Sequence, residues 1–329
     1  MTDLPEEPQG LERKLRGFDP VKIARPSVLL LGGGGQLGRV LAAPLSALGE
    51  LTVTTRDDLD LAADDFEERL RSLAPKKLKL IVNAAAYTKV DQAESDREKA
   101  FRVNARAPAL LAKLARERDA ALVHYSTDYV YSGDKDSPYQ EDDPTGPLNH
   151  YGKTKLEGDL QVMDSGARFV ILRTSWVYGL IGNNFPHTVL RLAREKETLE
   201  MDASQRGAPT SVELLNDFTA FISAGILHHG KDYRGLFHLS SSGECTWLEF
   251  ARFLVQKAAD EGIELKLKPE KILPRKGPEP FRAAKRPINS RLSLRKFSSH
   301  FKLYPPHWIH YASRFIRGYK AFADVLKKS

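Results

Sequence analysis

Cysteine is almost absent: of 329 residues, only Cys245 is one. No internal disulfide can form, and no thiolate cluster can hold a metal. Histidine does not make up for it. The nine histidines include the adjacent His228 and His229 but no His-x-x-x-His pair on a helix, so no metal site is expected. Long apolar runs are missing as well, and none approaches the roughly 18 residues of a membrane span. The first residues carry no basic-then-apolar leader pattern, so the expectation is a cytoplasmic protein without a membrane partner. There is no internal repeat and no long low-complexity tract.

Apolar residues make up 41% of the chain, enough for a full core. The formal net charge of +7 admits nucleic acid, a membrane surface or a small anionic substrate as partner. The cations are spread along the chain with acids between them. The densest basic stretch, Lys266 to Lys296, is broken by prolines and has no aromatic ladder for stacking bases. That argues against nucleic acid and for a phosphate-bearing small molecule.

Residues 1–25, rich in Pro, Glu, Arg and Lys without periodicity, read as a flexible extension. Ser27 to Leu31 is then a continuous apolar run, the mark of a strand covered on both faces. Strands are expected again at Leu51–Thr55, Leu78–Ala84, Ala121–Thr127, Arg168–Trp176 and Gly235–Ser240. Helices are expected at Gln36–Leu48, around Phe66, Leu70 and Leu73, and at Asp96–Asp119, His150–Asp164, Asn184–Lys196 and Thr246–Glu261. Alternation at this period predicts an α/β fold, a doubly wound parallel sheet of Rossmann-like type with a smaller C-terminal substrate-binding domain. The dinucleotide-binding domain is expected over 26–175, with 211–245 returning to it. Residues 176–210 and 246–329 are expected to cover the substrate. Ligands of such sheets lie beyond the carboxyl ends of the strands, and the informative residues all fall there.

The first strand runs into Gly32-Gly33-Gly34-Gly35-Gln36-Leu37-Gly38 and then a helix. Glycines at 32, 35 and 38 let the backbone turn tightly and approach a pyrophosphate at the helix N-terminus. Gln36 and Leu37 open that helix. The second strand ends at Thr55-Arg56, where Arg56 suits the 2′-phosphate of NADP. Asp57 and Asp58 follow it and keep NADH open beside NADPH. Asn83-Ala84-Ala85-Ala86 ends the third strand, where small side chains allow a nucleoside to lie on the backbone.

Tyr151 and Lys155 are four apart, hence on one face of a helix. A tyrosine needs help to exchange protons near neutrality, and an adjacent ammonium supplies it by stabilising phenolate. The strand before that helix ends in Ser126-Thr127-Asp128-Tyr129, which puts the Thr127 hydroxyl where a ketone oxygen gains negative charge.

With these phrases in order, the chain resembles the extended short-chain dehydrogenases, and within them the dTDP-4-dehydrorhamnose reductase family. The matching stretches are the glycine loop, Asn83 to Glu94, His124 to Tyr131, Pro147 to Lys155, Arg173 to Gly179, Gly182 to Phe185, Gly207 to Thr210 and Arg286 to Leu292. The resemblance implies NADPH-dependent reduction of a 4-keto group on a nucleotide-diphosphate sugar, giving dTDP-L-rhamnose. It implies Thr127, Tyr151 and Lys155 as a catalytic triad. Val90, Asp128, Tyr129 and Trp176 would line the sugar site, and Asn183, Asn184, Arg286 and Arg291 would face the substrate. It also implies an active-site asparagine at Asn104. Pro108, which has no N–H, would leave the Asn104 carbonyl free to hold a water toward Lys155. A homodimer is compatible with all of this, and the oligomeric state is not fixed by the sequence.

Ser204-Gln205-Arg206 departs from the family's Asp-Gln-Phe, which leaves a ketoreductase of different stereochemistry open. A 4,6-dehydratase would need an acid after Asp128, and Tyr129 stands there instead. A non-catalytic NADP-binding subunit, like the β subunit of methionine adenosyltransferase, keeps the Tyr-Gly-Lys-Thr-Lys stretch too. Trp176 and Gly207 to Thr210 favour the reductase.

Overall fold

A computed structural model of the chain describes residues 25–275 and 282–326. The extension expected over 1–25 lies outside these except for Arg25, whose guanidinium donates to the Gly49 carbonyl at 2.9 Å. Of the basic stretch Lys266 to Lys296, residues 276–281 also lie outside the described residues.

Six parallel strands form the central sheet: β1 (Ser27–Leu31), β2 (Glu50–Thr54), β3 (Leu78–Asn83), β4 (Ala121–Thr127), β5 (Arg168–Thr174) and β6 (Gly235–His238). Their order is β6-β5-β4-β3-β1-β2. All of β1 and β4 is buried, because helices cover both faces. Against one face pack α2 (Phe66–Leu73), α4 (Ala107–Glu117) and α5 (His150–Asp164), through Leu70, Leu111 and Val162. Against the other pack α1 (Gln36–Leu48), α7 (Val212–His228) and α9 (Arg295–Phe301), through Leu41, Leu214 and Phe297. Each such leucine stabilises by roughly 1.5–3 kcal/mol relative to exposure.

The remaining helices, α6 (Phe185–Glu195), α8 (Trp247–Asp260) and α10 (Trp308–Leu326), share a separate core around Leu190, Leu254 and Phe315. Short strand pairs tie this half together, among them Val177–Tyr178 beside Thr210–Ser211. The chain leaves the sheet after β5, builds part of this second core, and returns as α7 and β6. Because β1 pairs with β2 on one side and β3 on the other, the chain order reverses there, and a crevice opens beyond the carboxyl ends.

Two elements differ from expectation for identifiable reasons. The single long helix expected over Asp96–Asp119 is three pieces: α3 (Arg97–Phe101), a π-helical turn over Arg102–Arg106, and α4. Pro108 lies in the first turn of α4 and cannot donate to a preceding carbonyl, so the wider turn absorbs the fault. The fifth strand stops at Thr174 rather than Trp176, because Trp176 takes a positive φ of 47° that no strand accommodates.

Candidate active site

A cavity of about 770 Å³ opens at the carboxyl ends of β1, β3, β4 and β5. Its floor on one side is the glycine loop. Gly32 has φ 81°, and a Cβ there would come within 2.7 Å of the Ala85 nitrogen. At Gly38 a Cβ would collide with the Gly32 carbonyl, so only glycine lets α1 start this close to β1. Helix α1 has no side-chain cap and no acid in its first turn. Its leading N–H groups and the positive end of its dipole are thus left for a ligand, and a dinucleotide pyrophosphate fits that donor set. Arg56 and Asp57 line the cavity at the end of β2. Asp58 does not, since its carboxylate accepts the Thr55 N–H and hydroxyl, each at 2.8 Å. Ala84, Ala85 and Ala86 form the neighbouring wall.

Thr127, Tyr151 and Lys155 converge on the same cavity. Helix α5 begins at the Asn149 cap, whose side chain accepts the Gly152 N–H at 2.8 Å. This sets Tyr151 in its first turn and Lys155 one turn on. Burial raises the Tyr151 phenol above its ordinary pKa, with the neighbouring Thr127 hydroxyl pulling the other way. Lys155 is buried, with Nζ donating to the Tyr125 carbonyl at 2.6 Å and lying 3.4 Å from His124 Nε2. Burial pulls its ammonium down to about 8, against the attraction of Asp159. In this arrangement Tyr151 stays a protonated phenol. Lys155 is not among the groups that shift the Tyr151 phenol in this arrangement, where burial dominates.

Beside Thr127, Asp128 is 2% exposed and lines the cavity. Its Oδ1 accepts the Thr127 hydroxyl at 3.1 Å, and its Oδ2 has no partner. Burial pushes this carboxyl up to about 7, against the opposing pull of the neighbouring Ser290 and Thr127 hydroxyls. Tyr129 meets Tyr151 edge-on, with ring centroids 5.7 Å apart. Val90, Tyr129 and Trp176 line the cavity as well. Among the described residues no group of three His, Cys, Asp or Glu gathers to hold a metal.

Other residues named from the sequence lie elsewhere. Asn104 is buried behind the cavity: its Oδ1 accepts the Tyr87 N–H at 2.9 Å, and its Nδ2 donates to the Tyr87 carbonyl and to Thr154 Oγ1. Its carbonyl turns onto α5, where a Cβ at Gly158 would strike it. Asn104 therefore holds the 84–90 loop rather than a cofactor, and the water relay to Lys155 loses its geometry. Asn83 is likewise consumed, with its Oδ1 on the Ala85 N–H and its Nδ2 on His124 Nδ1 at 3.0 Å. Asn183 is exposed and off the cavity. Asn184 caps α6 and donates to Gln36 Oε1 at 2.9 Å, tying the second half of the molecule to the glycine loop. Arg286 makes a paired contact with Asp91, at 2.9 and 2.6 Å, and Arg291 bonds Asn289 Oδ1 at 2.8 Å and Glu244 at 3.2 Å. Neither arginine is in the cavity wall. Both fasten the 284–291 segment from outside.

Sequence reasoning missed Thr88, Ser126 and Trp247, all in the wall, and His124 beneath Lys155. Burial and the Lys155 ammonium hold the His124 imidazole well below its ordinary range, hence neutral. Trp247 stacks on Trp176, with centroids 3.6 Å apart and planes at 11°. No local pattern marks it, because its partner is far away in the chain. Among the described residues no helix is long and apolar enough to cross a membrane.

Comparison with known proteins completes the description of the site. The RmlD substrate binding domain family model matches residues 26–321. The chain is 43% identical over 288 residues to the dTDP-4-dehydrorhamnose reductase of Escherichia coli K12, covering 86% of this chain and 94% of that one. It is 38% identical over 284 residues to the enzyme of that name from Burkholderia thailandensis, covering 85% and 95%. The crystal structure of dTDP-4-dehydrorhamnose reductase from Bacillus anthracis, in complex with NADP, superposes with a TM-score of 0.79 at 32% identity, covering 89% of this chain and 99% of that one.

Proposed function

The chain belongs to the dTDP-4-dehydrorhamnose reductase family, and from that premise we propose how its residues divide the work. It is an NADPH-dependent oxidoreductase that reduces the 4-keto group of a nucleotide-linked deoxysugar. The substrate we assign is dTDP-4-dehydro-L-rhamnose and the product dTDP-L-rhamnose. Residues 26–175 with 211–245, joined by α9, form the dinucleotide half, and 176–210 with α8 and α10 form the sugar half. One observation carries the assignment: Tyr151, Thr127 and Lys155 meet in a single cavity that also opens on the uncapped first turn of α1.

Gly32, Gly35, Gln36, Leu37 and the wall Ala84 to Ala86 hold the dinucleotide, Gly38 seats the helix that carries them, and Arg56 takes the 2′-phosphate. NADPH, when bound, supplies the hydride. Tyr151 donates the proton to the oxygen that was the ketone. Its raised pKa keeps that proton in place until negative charge develops beside it. Thr127, in the same cavity wall as Tyr151, supports the same oxygen. Lys155, seated on the Tyr125 carbonyl, presents its ammonium to the nicotinamide ribose. Asp128 borders the sugar beside Thr127, and Val90, Tyr129 and Trp176 enclose the ring.

The test is NADPH oxidation, followed by absorbance, against a panel of nucleotide-linked 4-keto sugars. The assignment predicts the highest kcat/KM for dTDP-4-dehydro-L-rhamnose. A higher value for another base or another configuration at the sugar would refute the substrate while leaving the reaction type intact.

A further inference from the structure

Trp176 occupies a conformation that its residue type disfavours. Among the described residues only it, Asp119 and Lys302 take positive φ without being glycine, and its value is 47°. A bulky side chain in the left-handed region persists only where its surroundings over-determine it. Three contacts do so. The Trp176 carbonyl accepts the Thr210 N–H at 3.2 Å. Its indole edge lies against Gly207, where a Cβ would come within 2.7 Å of Cε2. Its face lies flat on Trp247 at 3.6 Å.

Trp247 is itself firmly held. It is the first residue of α8, directly after a capping box in which Thr246 and Glu249 satisfy each other's N–H groups. The Phe185 ring packs against it, with centroids 4.4 Å apart. Its indole N–H faces Gln205 Oε1 at 3.4 Å, and the Gln205 amide is anchored on Asp202 at 3.0 Å. Both indoles line the cavity. The backbone contact fixes where Trp176 starts but leaves the rotation of its ring open. The stack and the Gly207 edge bear on that rotation.

We propose that Trp247 is a positioning residue that locks the Trp176 indole as one flat wall of the sugar subsite, so that α8 governs sugar affinity through a residue it does not contain. The inference rests on the assignment of Trp176 to that subsite. A tryptophan is suited to the task because a second indole offers a full face for stacking, which aliphatic side chains of similar reach do not.

The experiment uses the full-length enzyme and four variants: Trp247→Leu, Trp247→Phe, Gly207→Ala and Trp176→Ala. Each is assayed for sugar KM, NADPH KM and kcat, and each is examined by far-ultraviolet circular dichroism for the exciton couplet of two stacked indoles. The wild-type couplet is expected to vanish in Trp247→Leu, whose sugar KM rises about tenfold, the upper end of what an aromatic stack contributes. Its kcat and NADPH KM should change little. Trp247→Phe should restore most of the affinity without the couplet. Gly207→Ala presses on the other edge of the same indole and should also raise the sugar KM, so it decides the matter if Trp247→Leu folds poorly. A wild-type protein without a couplet, or a wild-type sugar KM in both Trp247→Leu and Gly207→Ala, overturns the proposal. A Trp176→Ala enzyme with unchanged sugar KM would instead remove Trp176 from the sugar subsite, whatever the couplet shows.

Discussion

The side of the cavity we assign to the dinucleotide and the side we assign to the sugar are made by opposite means. The first is a surface of backbone: glycines at 32, 35 and 38, three alanines at 84 to 86, and a helix end left without a cap. Side chains there are defined by how little they occupy. The second is a surface of side chains, and its parts come from distant segments: Asp128 from the end of β4, Trp176 from beyond β5 and Trp247 from α8. A backbone surface tolerates no addition, whereas a side-chain surface responds in graded fashion to each replacement. Tyr151, Thr127 and Lys155 stand on the border between the two.

The largest effect should come from that border. Tyr151→Phe is expected to lower kcat by about 10²–10⁴-fold, the usual contribution of a positioned proton donor. NADPH should still bind, as titration of its fluorescence would show. Near wild-type turnover would transfer the donor role elsewhere. On the backbone side, Gly38→Ala adds a single methyl that must displace the Gly32 carbonyl. It should reduce kcat/KM for NADPH by about 10²-fold, as a misplacement of around 1 Å does. The sugar KM should hardly move, and an equal rise in both Michaelis constants would dissolve the contrast drawn above.

Asp128 offers a graded effect with a definite sign. Its carboxyl keeps its proton up to about pH 7 in the folded chain but only to 3.8 in the reference state. Between those values the folded form binds the extra proton, so stability falls as pH rises through that window. Asp128→Asn removes this dependence. Its melting temperature relative to the parent should therefore be higher at about pH 8 than at about pH 5. A difference that is flat with pH would mean that water reaches Oδ2. The smallest effect belongs to Arg291→Ala, which removes contacts outside the cavity with Glu244 at 3.2 Å, Asn289 Oδ1 at 2.8 Å and the Asp136 carbonyl. A change of about 0–1 kcal/mol in stability and none in kinetics is expected, and a raised sugar KM would return Arg291 to the substrate.

The sequence disclosed the backbone side almost completely. The apolar run of β1, the glycine spacing and the Tyr151–Lys155 interval are local patterns, and periodicity carries the strand and helix assignments around them. It disclosed the individual polar contacts unevenly, for the cofactor call at Asn104 as for the substrate calls at Asn184, Arg286 and Arg291. Asn104, Asn184, Arg286 and Arg291 are polar residues near the right phrases, but each has its hydrogen-bonding capacity taken up by a partner distant in the chain, such as Tyr87, Gln36, Asp91 and Glu244. Nothing in the chain order tells a free amide from an engaged one. Trp247 and His124 were overlooked for the converse reason, since their partners Trp176 and Lys155 become neighbours only through the fold. The π-turn before Pro108 is an intermediate case, for the proline announces a fault in the helix without saying how the fault is absorbed.

The late return of the chain to the sheet bears on how the molecule is made. Strand β5 pairs with β4 on one side and with β6 on the other, and β6 ends at His238. During synthesis the sheet therefore carries an open edge at β5 from the moment Thr174 emerges until His238 does. Through that interval the unpaired backbone of β5 is a template for any extended strand nearby. A ribosome paused between those two codons would prolong that exposure, and so would a segment added between them.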